Sequence, residues 1–491
     1  MCPVVHLKIS RVLSLCMLLL FSESLTAHSE EKPSAGEHPV IAHHVDQIKI
    51  ISSQMQFDEL FRMGKTLFTA QFNRLDGQGR PGSTGTGLPR GTTQPTFIRI
   101  SGPDANSCAG CHMQPNVGGA GDFVANVFVL AQELDPVAGS LDVRDSNERN
   151  TLGMMGAGAI EMLAREMTTE LIAIREVARA EAQNKNITVN RPLLAKGVSF
   201  GTLTIYPDGR IDPRGIEGVD WDLIVKPFNQ KGTVVSIRDF SVTAMNHHHG
   251  MQAVERFGEG VDADGDGMVN ELTVGDITAI TIFQAGLNIP GRVLPKNTKQ
   301  QKTIKQGERL FEKIGCTACH IPSLVLENPV FTEPNPFNPP GNLRPADGKP
   351  SFSFDLTRQG PAPRLKRLPK GGAAVVAYTD LKRHDLNDSE LNHFANERAP
   401  QGLLIGVALP TQFSEPVVHR PVREFITRKL WDVGDSGPYG HRGDLTTITD
   451  AIYFHGGEAR ASRDQFLALP DADRAAIIQF LKTLVTRPAS N

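Results

Sequence analysis

Cysteine, tryptophan and tyrosine are scarce in this chain: six, two and four residues of 491, respectively. Two of the cysteines, Cys2 and Cys16, lie close to the N-terminus, and the other four form two closely spaced pairs. If the N-terminus is removed, no cysteine remains for a structural disulfide. The formal net charge of −3 gives no reason to expect nucleic acid or an anionic membrane surface as a partner.

The chain also lacks a long hydrophobic run. Residues 12–21 are mostly apolar and follow the basic residues Lys8 and Arg11, which is typical of a secretory signal. The run is too short to span a bilayer comfortably. We predict a signal peptide at residues 1–27, export to the periplasm and no stable membrane span. An uncleaved anchor or a lipoprotein is the alternative.

Two pentapeptides, at residues 108–112 (CAGCH) and 316–320 (CTACH), share the pattern C-x-x-C-H. This pattern is typical of c-type haem attachment, in which two thiols add to the haem vinyl groups and the histidine binds iron. A redox dithiol does not need the histidine twice, and zinc would need further soft ligands that no remaining cysteine supplies. The sequence therefore predicts two covalently bound haems, held by these residues: Cys108, Cys111, His112, Cys316, Cys319 and His320.

A similar helical sequence precedes each motif: residues 64–68 (GKTLF) and residues 307–311 (GERLF). The repeated order of Gly, Leu and Phe before C-x-x-C-H indicates a duplicated haem domain. We predict a mainly α fold of two cytochrome c-like haem domains, at 50–290 and 300–491, with long loops. Alternating apolar residues followed by turn residues predict a small β-rich insertion within 186–236.

Three consecutive histidines, His247, His248 and His249, stand out among the fifteen of the chain. They are interpreted either as a polar helix end or as iron ligands or acid–base groups near haem. Consecutive helical residues point about 100° apart, so at most two of them can face one haem.

An acidic segment carries aspartates at alternate positions, as the start of a calcium-binding loop does: Asp262, Asp264 and Asp266. The twelfth position of the loop is Thr273 rather than glutamate, and Glu271 comes two residues early. The segment is therefore not an intact EF-hand. Either Ca²⁺ bound by the aspartates and Glu271 or a solvated acidic turn agrees with the sequence.

Four stretches carry a resemblance to a known family: residues 107–113 (SCAGCHM), 378–385 (YTDLKRHD), 430–444 (LWDVGDSGPYGHRGD) and 451–459 (AIYFHGGEA). They resemble the di-haem oxidoreductases, a family that is related to the bacterial di-haem cytochrome c peroxidases. The resemblance extends over most of residues 55–485.

This resemblance implies a ligand for the second haem. In di-haem peroxidases, the histidine of a Pro-Tyr-x-His-x-Gly stretch is followed fourteen residues later by a methionine that completes the electron-transfer haem. Here the stretch contains His441, and the residue fourteen positions on is His455. The expected ligand pair is therefore His320 and His455. Methionine raises the iron potential, so a second histidine should leave the potential lower.

The resemblance also implies that the first haem is the reactive one. Electrons from a small redox protein would enter at the His320 haem and reach the His112 haem, which reduces peroxide or a similar small-molecule oxidant. Peroxide reduction needs an acid–base group. The candidates are His249, which we prefer, and Glu161, for which a helix surface charge is the alternative.

Both tryptophans, Trp221 and Trp431, are candidates for an electron relay between the haems, with simple packing as the alternative for each. Shorter relatives tend to carry tryptophan near the position of Gln230. Two other functions remain open: a non-catalytic di-haem electron-transfer cytochrome and a di-haem oxygenase. The sixth position of the His112 iron distinguishes the three functions.

Overall fold

The computed structural model describes residues 38–79, 105–122, 124–126, 148–345, 351–395 and 423–486. The predicted signal peptide lies outside these residues. Within them, no helix is long and apolar enough to cross a membrane.

Helices outweigh strands, as the sequence predicts, and the strands form only small sheets. The α-helices are Gln47–Ile51, Phe57–Thr69, Cys108–Cys111, Ala157–Lys185, Ile237–Ala244, Val254–Phe257, Val274–Ala285, Thr298–Lys313, Ile448–Tyr453, Arg460–Ala468 and Asp471–Leu481. The strands are Val124–Asn126, Glu148–Asn150, Val189–Ala195, Val198–Ile205, Ile211–Asp212, Gly291–Arg292, Leu324–Leu326, Val330–Glu333, Phe352–Asp355, Lys366–Arg367, Ala373–Val375, Arg383–Asp385, Glu424–Ile426 and Leu484–Val485.

The strands pair antiparallel in sheets of two or three. Val189–Ala195, Val198–Ile205 and Ile211–Asp212 form one three-stranded sheet, and it lies within the predicted β-rich stretch. One face of Val198–Ile205 is buried because Val198, Phe200, Leu203 and Ile205 point into the core.

The helix before each haem motif crosses a second helix at its glycine. A Cβ on Gly64 would lie 2.0 Å from the carbonyl oxygen of Ala279, and one on Gly307 would lie 1.9 Å from that of Ala476. Both positions therefore require a residue without a side chain. The same packing thus occurs at both motifs. Whether each unit is a cytochrome c-like domain stays a prediction.

The apolar cores do not follow the predicted boundary near residue 300. The largest core contains Leu60 and Leu163 together with Leu326, Phe331 and Phe354 from the second half of the chain. A separate core surrounds the second haem motif and contains these residues, among others: Ile304, Phe311, Phe466 and Phe480. The two halves are therefore joined by a shared core, and the bounds 50–290 and 300–491 stay a prediction.

Candidate haem-binding sites

The first C-x-x-C-H motif forms the short helix Cys108–Cys111, and His112 ends it. The Nδ1 atom of His112 lies 3.3 Å from the carbonyl oxygen of Gly119. A carbonyl only accepts hydrogen bonds, so Nδ1 carries the proton and Nε2 keeps its lone pair for a metal. Burial lowers the pKa of His112 to about 4, so the ring is neutral at pH 7, as an iron ligand must be.

The second motif repeats this arrangement. The Nδ1 atom of His320 donates to the carbonyl oxygen of Tyr378 at 3.0 Å, and burial lowers the pKa of His320 to about 4. A phenylalanine of the preceding helix packs on each histidine: the Phe68 and His112 rings are 6.3 Å apart, and the Phe311 and His320 rings are 6.2 Å apart. Both motifs therefore present a neutral, oriented imidazole, and the donor set fits haem iron.

His455 lies just after the helix Ile448–Tyr453, on the side of the second motif. Its Nδ1 atom donates to the carbonyl oxygen of Ala451 at 2.6 Å, and burial lowers its pKa. A charge on His455 would lower the pKa of His320, so the two side chains lie within electrostatic range of each other. That His320 and His455 hold the second haem together stays a prediction.

His249 lies beside the first motif. It ends a π-helical turn, Met245–His249, a distortion that often marks functional sites. Its Nδ1 atom lies 2.7 Å from the carbonyl oxygen of Ala105, and its Nε2 atom lies 3.6 Å from Sγ of Cys108. The ring is buried and meets Phe72 edge-on. His249 thus stands at the end of a helical turn, as one alternative expected, and its side chain is buried beside the first motif.

His248 also lies within electrostatic range of the first motif, since a charge on it would lower the pKa of His112. His247 and His248 are half-buried, in contrast to His249. Two members of the histidine run therefore approach the first haem site, which is the maximum that helical geometry allows.

Glu161 lies within the long helix Ala157–Lys185 and is fully buried. Its carboxylate accepts hydrogen bonds from Arg165, from the Asn335 side chain at 3.0 Å and from the Ile237 backbone at 2.8 Å. Arg165 in turn donates to the carbonyl oxygen of Thr332 at 2.6 Å. These contacts tie the two halves of the chain together, and they favour a structural role for Glu161. Its assignment as an acid–base group stays a prediction.

Replacing Glu161 with glutamine should destabilise the protein by about 3 kcal/mol, because Arg165 is then buried without a counter-charge. Chemical denaturation monitored by circular dichroism measures the loss. Glu176→Gln is the matched control on the same helix, since its ion pairs with Arg175 and Arg179 are exposed and should be worth under about 1 kcal/mol. Equal stability of the two variants would contradict the structural role.

A histidine that the sequence did not single out lies beside the second motif. His384 is bound by Asp380 at 2.9 Å and by Glu458 at 2.7 Å, and its Nδ1 atom is 4.0 Å from Sγ of Cys319. Burial alone would lower the pKa of His384, but the hydrogen bonds to Asp380, Cys319 and Glu458 raise it to about 11. His384 is therefore a cation at pH 7.

Cys319, Asp380 and His384 have the spacing of a metal site, but Cys319 belongs to the haem motif. The sequence signal for this cluster is the four-residue spacing of Asp380 and His384 within the stretch 378–385. Glu458 could not be found from the sequence, because it lies 74 residues from His384.

Replacing His384 with glutamine should lower the midpoint potential of the second haem by tens of millivolts. The substitution removes a cation and leaves Asp380 and Glu458 uncompensated, which disfavours the more negative, reduced state. Potentiometric titration followed by absorbance measures the shift. His43→Gln, a change in an exposed histidine, is the control and should leave the potential unchanged. A potential that does not move in His384→Gln would contradict this electrostatic role.

The two tryptophans occupy different environments. Trp431 is fully buried, whereas 43% of Trp221 is exposed. Gln230, near the position where relatives carry tryptophan, lies 3.2 Å from Nδ1 of His441 and donates to the carbonyl oxygen of Gly440 at 3.1 Å. Gln230 therefore supports the loop that carries the Pro-Tyr-x-His-x-Gly stretch. Trp431 is the tryptophan whose burial agrees with a relay.

The structure brings the acidic residues of the predicted calcium loop close together. Carboxylate oxygens of Asp262, Asp264 and Asp266 lie within 4.8 Å of one another. Glu271 is buried next to them, and both of its oxygens accept hydrogen bonds from Gln252. The predicted calcium ligands are thus neighbours, with Glu271 bound to protein groups.

Comparisons with known proteins support a redox function. Residues 417–484 match the family described as "Di-haem oxidoreductase, putative peroxidase". The matched segment contains Trp431, His441 and His455, so the resemblance drawn from the sequence is confirmed there. The match supports a di-haem redox role, that of an oxidoreductase with haem cofactors. No curated protein matches the chain.

Two solved structures match the chain with low TM-scores and low sequence identity. A hydrazine synthase of Kuenenia stuttgartiensis, pressurised with 20 bar xenon, has a TM-score of 0.37 and 14% identity, and the match covers 97% of this chain and 100% of that one. A MauG-like protein associated with microbial copper homeostasis has a TM-score of 0.26 and 16% identity, over 57% of this chain and 78% of that one. These scores are too low to carry an argument about fold or function.

Proposed function

We propose that this chain is an exported, periplasmic di-haem c-type oxidoreductase of the peroxidase type. One haem would be attached at Cys108 and Cys111 with His112 as ligand, and the other at Cys316 and Cys319. The haems would supply one-electron redox chemistry and an iron position at which peroxide is reduced. The proposed partners are a small redox protein as electron donor and a small-molecule oxidant.

The observation that supports this proposal most strongly is the difference between the two sites. The second site has two neutral histidines, His320 and His455, each with Nδ1 bound to a carbonyl and Nε2 available. The first site has His112 in that state, whereas Nε2 of His249 lies beside Sγ of Cys108. A position next to the attachment sulfur would place His249 close to a haem held by Cys108, where it would supply an acid–base group.

His249 is suited to carry a proton during peroxide reduction. Because its Nδ1 atom is bound to the Ala105 carbonyl, the neutral ring has a lone pair on Nε2. Reduction requires a proton to move from one peroxide oxygen to the departing one, and an imidazole with a free lone pair can accept and return that proton. Edge-on packing against Phe72 restrains the orientation of the ring.

Single-turnover kinetics test the role of His249. Fully reduced, haem-loaded protein is mixed with hydrogen peroxide without oxygen, and reoxidation is followed by absorbance. We expect fast oxidation that consumes peroxide stoichiometrically, and a rate about 10²–10³-fold lower in His249→Gln. His43→Gln, the exposed-histidine control, should react at the wild-type rate. A wild-type protein that does not react with peroxide would instead support an electron-transfer cytochrome.

A continuous set of contacts leads from the second motif to Trp431. The Tyr378 carbonyl accepts from His320, and the neighbouring Ala377 carbonyl accepts from the backbone N–H of Leu430 at 2.9 Å. Leu430 directly precedes Trp431 in the chain. Trp431 is therefore connected to His320 through two hydrogen bonds and short segments of backbone.

The contacts continue from Trp431 to the first motif. The ring packs on Gly156, where a Cβ would lie 2.3 Å from the indole. Two residues earlier, the N–H of Met154 donates to the Gly118 carbonyl at 2.9 Å, and the carbonyl of the next residue accepts from His112. A connected route of contacts therefore runs from His320 through Trp431 to His112, which supports the proposed role of Trp431 as a relay.

Trp431→Phe should slow electron transfer between the haems about tenfold or more, because the smaller ring leaves a gap at Gly156. The measurement is the rate at which the second haem is reoxidised after peroxide is added to reduced protein. Trp221→Phe, a change at the exposed tryptophan, should leave that rate unchanged. Equal rates in both variants would show that the route does not depend on Trp431.

A further inference from the structure

The acidic loop contains a buried carboxylate oxygen that the protein does not satisfy. Asp264 is only 4% exposed, and its Oδ2 atom is buried with no hydrogen-bond partner among the described residues. One carboxylate oxygen from each of Asp262, Asp264 and Asp266 lies within 4.8 Å of the other two. A buried, unpaired carboxylate is costly, and two neighbouring aspartates increase the cost by repulsion. A cation in contact with these oxygens would remove both penalties.

Glu271 lies on the buried side of the loop, where it is only 3% exposed, and its carboxyl group is a fourth acidic group next to the three aspartates. The donors are all carboxylate oxygens, which are the ligands that Ca²⁺ prefers.

Gln252 joins the two deepest carboxylates. Its side-chain nitrogen donates to Glu271 at 2.6 Å and to Oδ1 of Asp264 at 3.1 Å, and its backbone N–H donates to Glu271 at 2.8 Å. The side-chain oxygen of Gln252 accepts from the backbone N–H of Ala263 at 2.8 Å. A movement of the loop therefore moves Gln252.

Gln252 follows His249 by three residues, so the chain between them is the first connection to the haem site. The residue between Gly250 and Gln252, Met251, is fully buried. Gly250 packs on the backbone of Gly79, where a Cβ would lie 2.4 Å from the Gly79 oxygen. This short segment has little room to adjust when Gln252 moves.

Residues 77–79 are a second connection. A Cβ on Gly77 would lie 2.3 Å from the Glu271 side chain, and the N–H of Gly79 donates to the carbonyl of His249 at 3.0 Å. Between them, Gln78 donates to the Ala105 carbonyl at 3.1 Å, the same oxygen that binds Nδ1 of His249. Both connections thus end at the His249 ring.

We propose that Asp262, Asp264 and Asp266 bind Ca²⁺ and that the bound ion fixes the position of His249 at the first haem site. The second part of this inference rests on the proposed function. The ion would neutralise the unpaired Asp264 oxygen, hold Gln252 through the other oxygen and so order the turn that ends at His249.

Calorimetric titration of haem-loaded, chelator-treated full-length protein with CaCl₂ tests the site. We expect one Ca²⁺ per chain, with a Kd at or below the roughly 0.1–1 mM range of extracellular calcium modules. Asp264→Asn, and separately Asp266→Asn, should weaken binding at least about tenfold. Glu259→Gln, a change in an exposed acid just before the loop, should bind as the wild type does. No binding, or equal binding in all four proteins, would overturn the site.

The EPR spectrum of the oxidised protein with and without Ca²⁺ tests the coupling. We expect the signal of the first haem to change and that of the second to stay constant. In Gln252→Met, which removes the bridge and keeps the aspartates, Ca²⁺ should still bind but the first haem should no longer respond. Binding without any change at the first haem of the wild type would overturn the coupling. Because neither peroxide nor donor is present, this result is independent of peroxidase activity.

Discussion

Replacing Cys316 and Cys319 together with serine should remove one of two covalent haems and leave the other attached at Cys108 and Cys111. Serine hydroxyls do not form the thioether bonds that hold a c-type haem. The loss should also weaken the second core, because Phe311 and His320 would then pack against a vacant cleft. The haem content measured by the pyridine haemochrome absorbance should fall from two per chain to one.

The matching double replacement of Cys108 and Cys111 should also leave one haem, attached at the second motif. Replacement of Cys16, within the predicted signal peptide, is the control and should leave two. Intact-mass measurement of each purified protein identifies which motif retains its haem. A wild-type protein with one covalent haem, or with none, would contradict the duplicated arrangement.

Replacing His455 with methionine should raise the midpoint potential of the second haem by about 100–300 mV. A thioether sulfur is a softer ligand than imidazole and stabilises the reduced iron, and axial ligands set haem potentials over about 0.8 V. His455 is half-buried and lies within electrostatic range of His320, so methionine would replace it without a large change in exposure. Potentiometric titration, with the spectra of the two haems separated, measures the change.

The control for this substitution is His393→Met. His393 is a half-buried histidine near the same region, and its ring stacks on Phe454, the residue before His455. It has no expected role as a ligand, so the potential should stay close to that of the wild type. If His455→Met leaves the second haem unchanged, or shifts the first haem instead, His455 is not the ligand we propose.

The features that the sequence predicted well depend on neighbouring residues. The C-x-x-C-H motifs and the helices before them could be predicted because their geometry is set within about 10–50 residues of chain. Gly64 and Gly307 are equivalent positions of the repeated sequence, and each of them lies at a helix crossing in the structure. The acidic loop could be predicted for the same reason, because its aspartates are close together in the sequence.

Features that depend on distant parts of the chain could not be predicted. The burial of Glu161 requires Asn335, 174 residues away, and the charge of His384 requires Glu458. The shared core that joins the two halves likewise depends on strands after residue 320, which are far along the chain from the helices that they pack against. Such tertiary contacts decide which polar side chains are buried. The local periodicity of apolar residues does not predict them.

The most direct test of the central claim is EPR spectroscopy of the ferric protein, repeated after one-electron reduction and after addition of hydrogen peroxide. The account predicts a low-spin signal from the His320 and His455 haem, and a high-spin signal from the first haem before or after half-reduction. That high-spin signal should disappear rapidly with peroxide. Two low-spin haems in every state, both inert to peroxide, would contradict the account and identify the chain as an electron carrier.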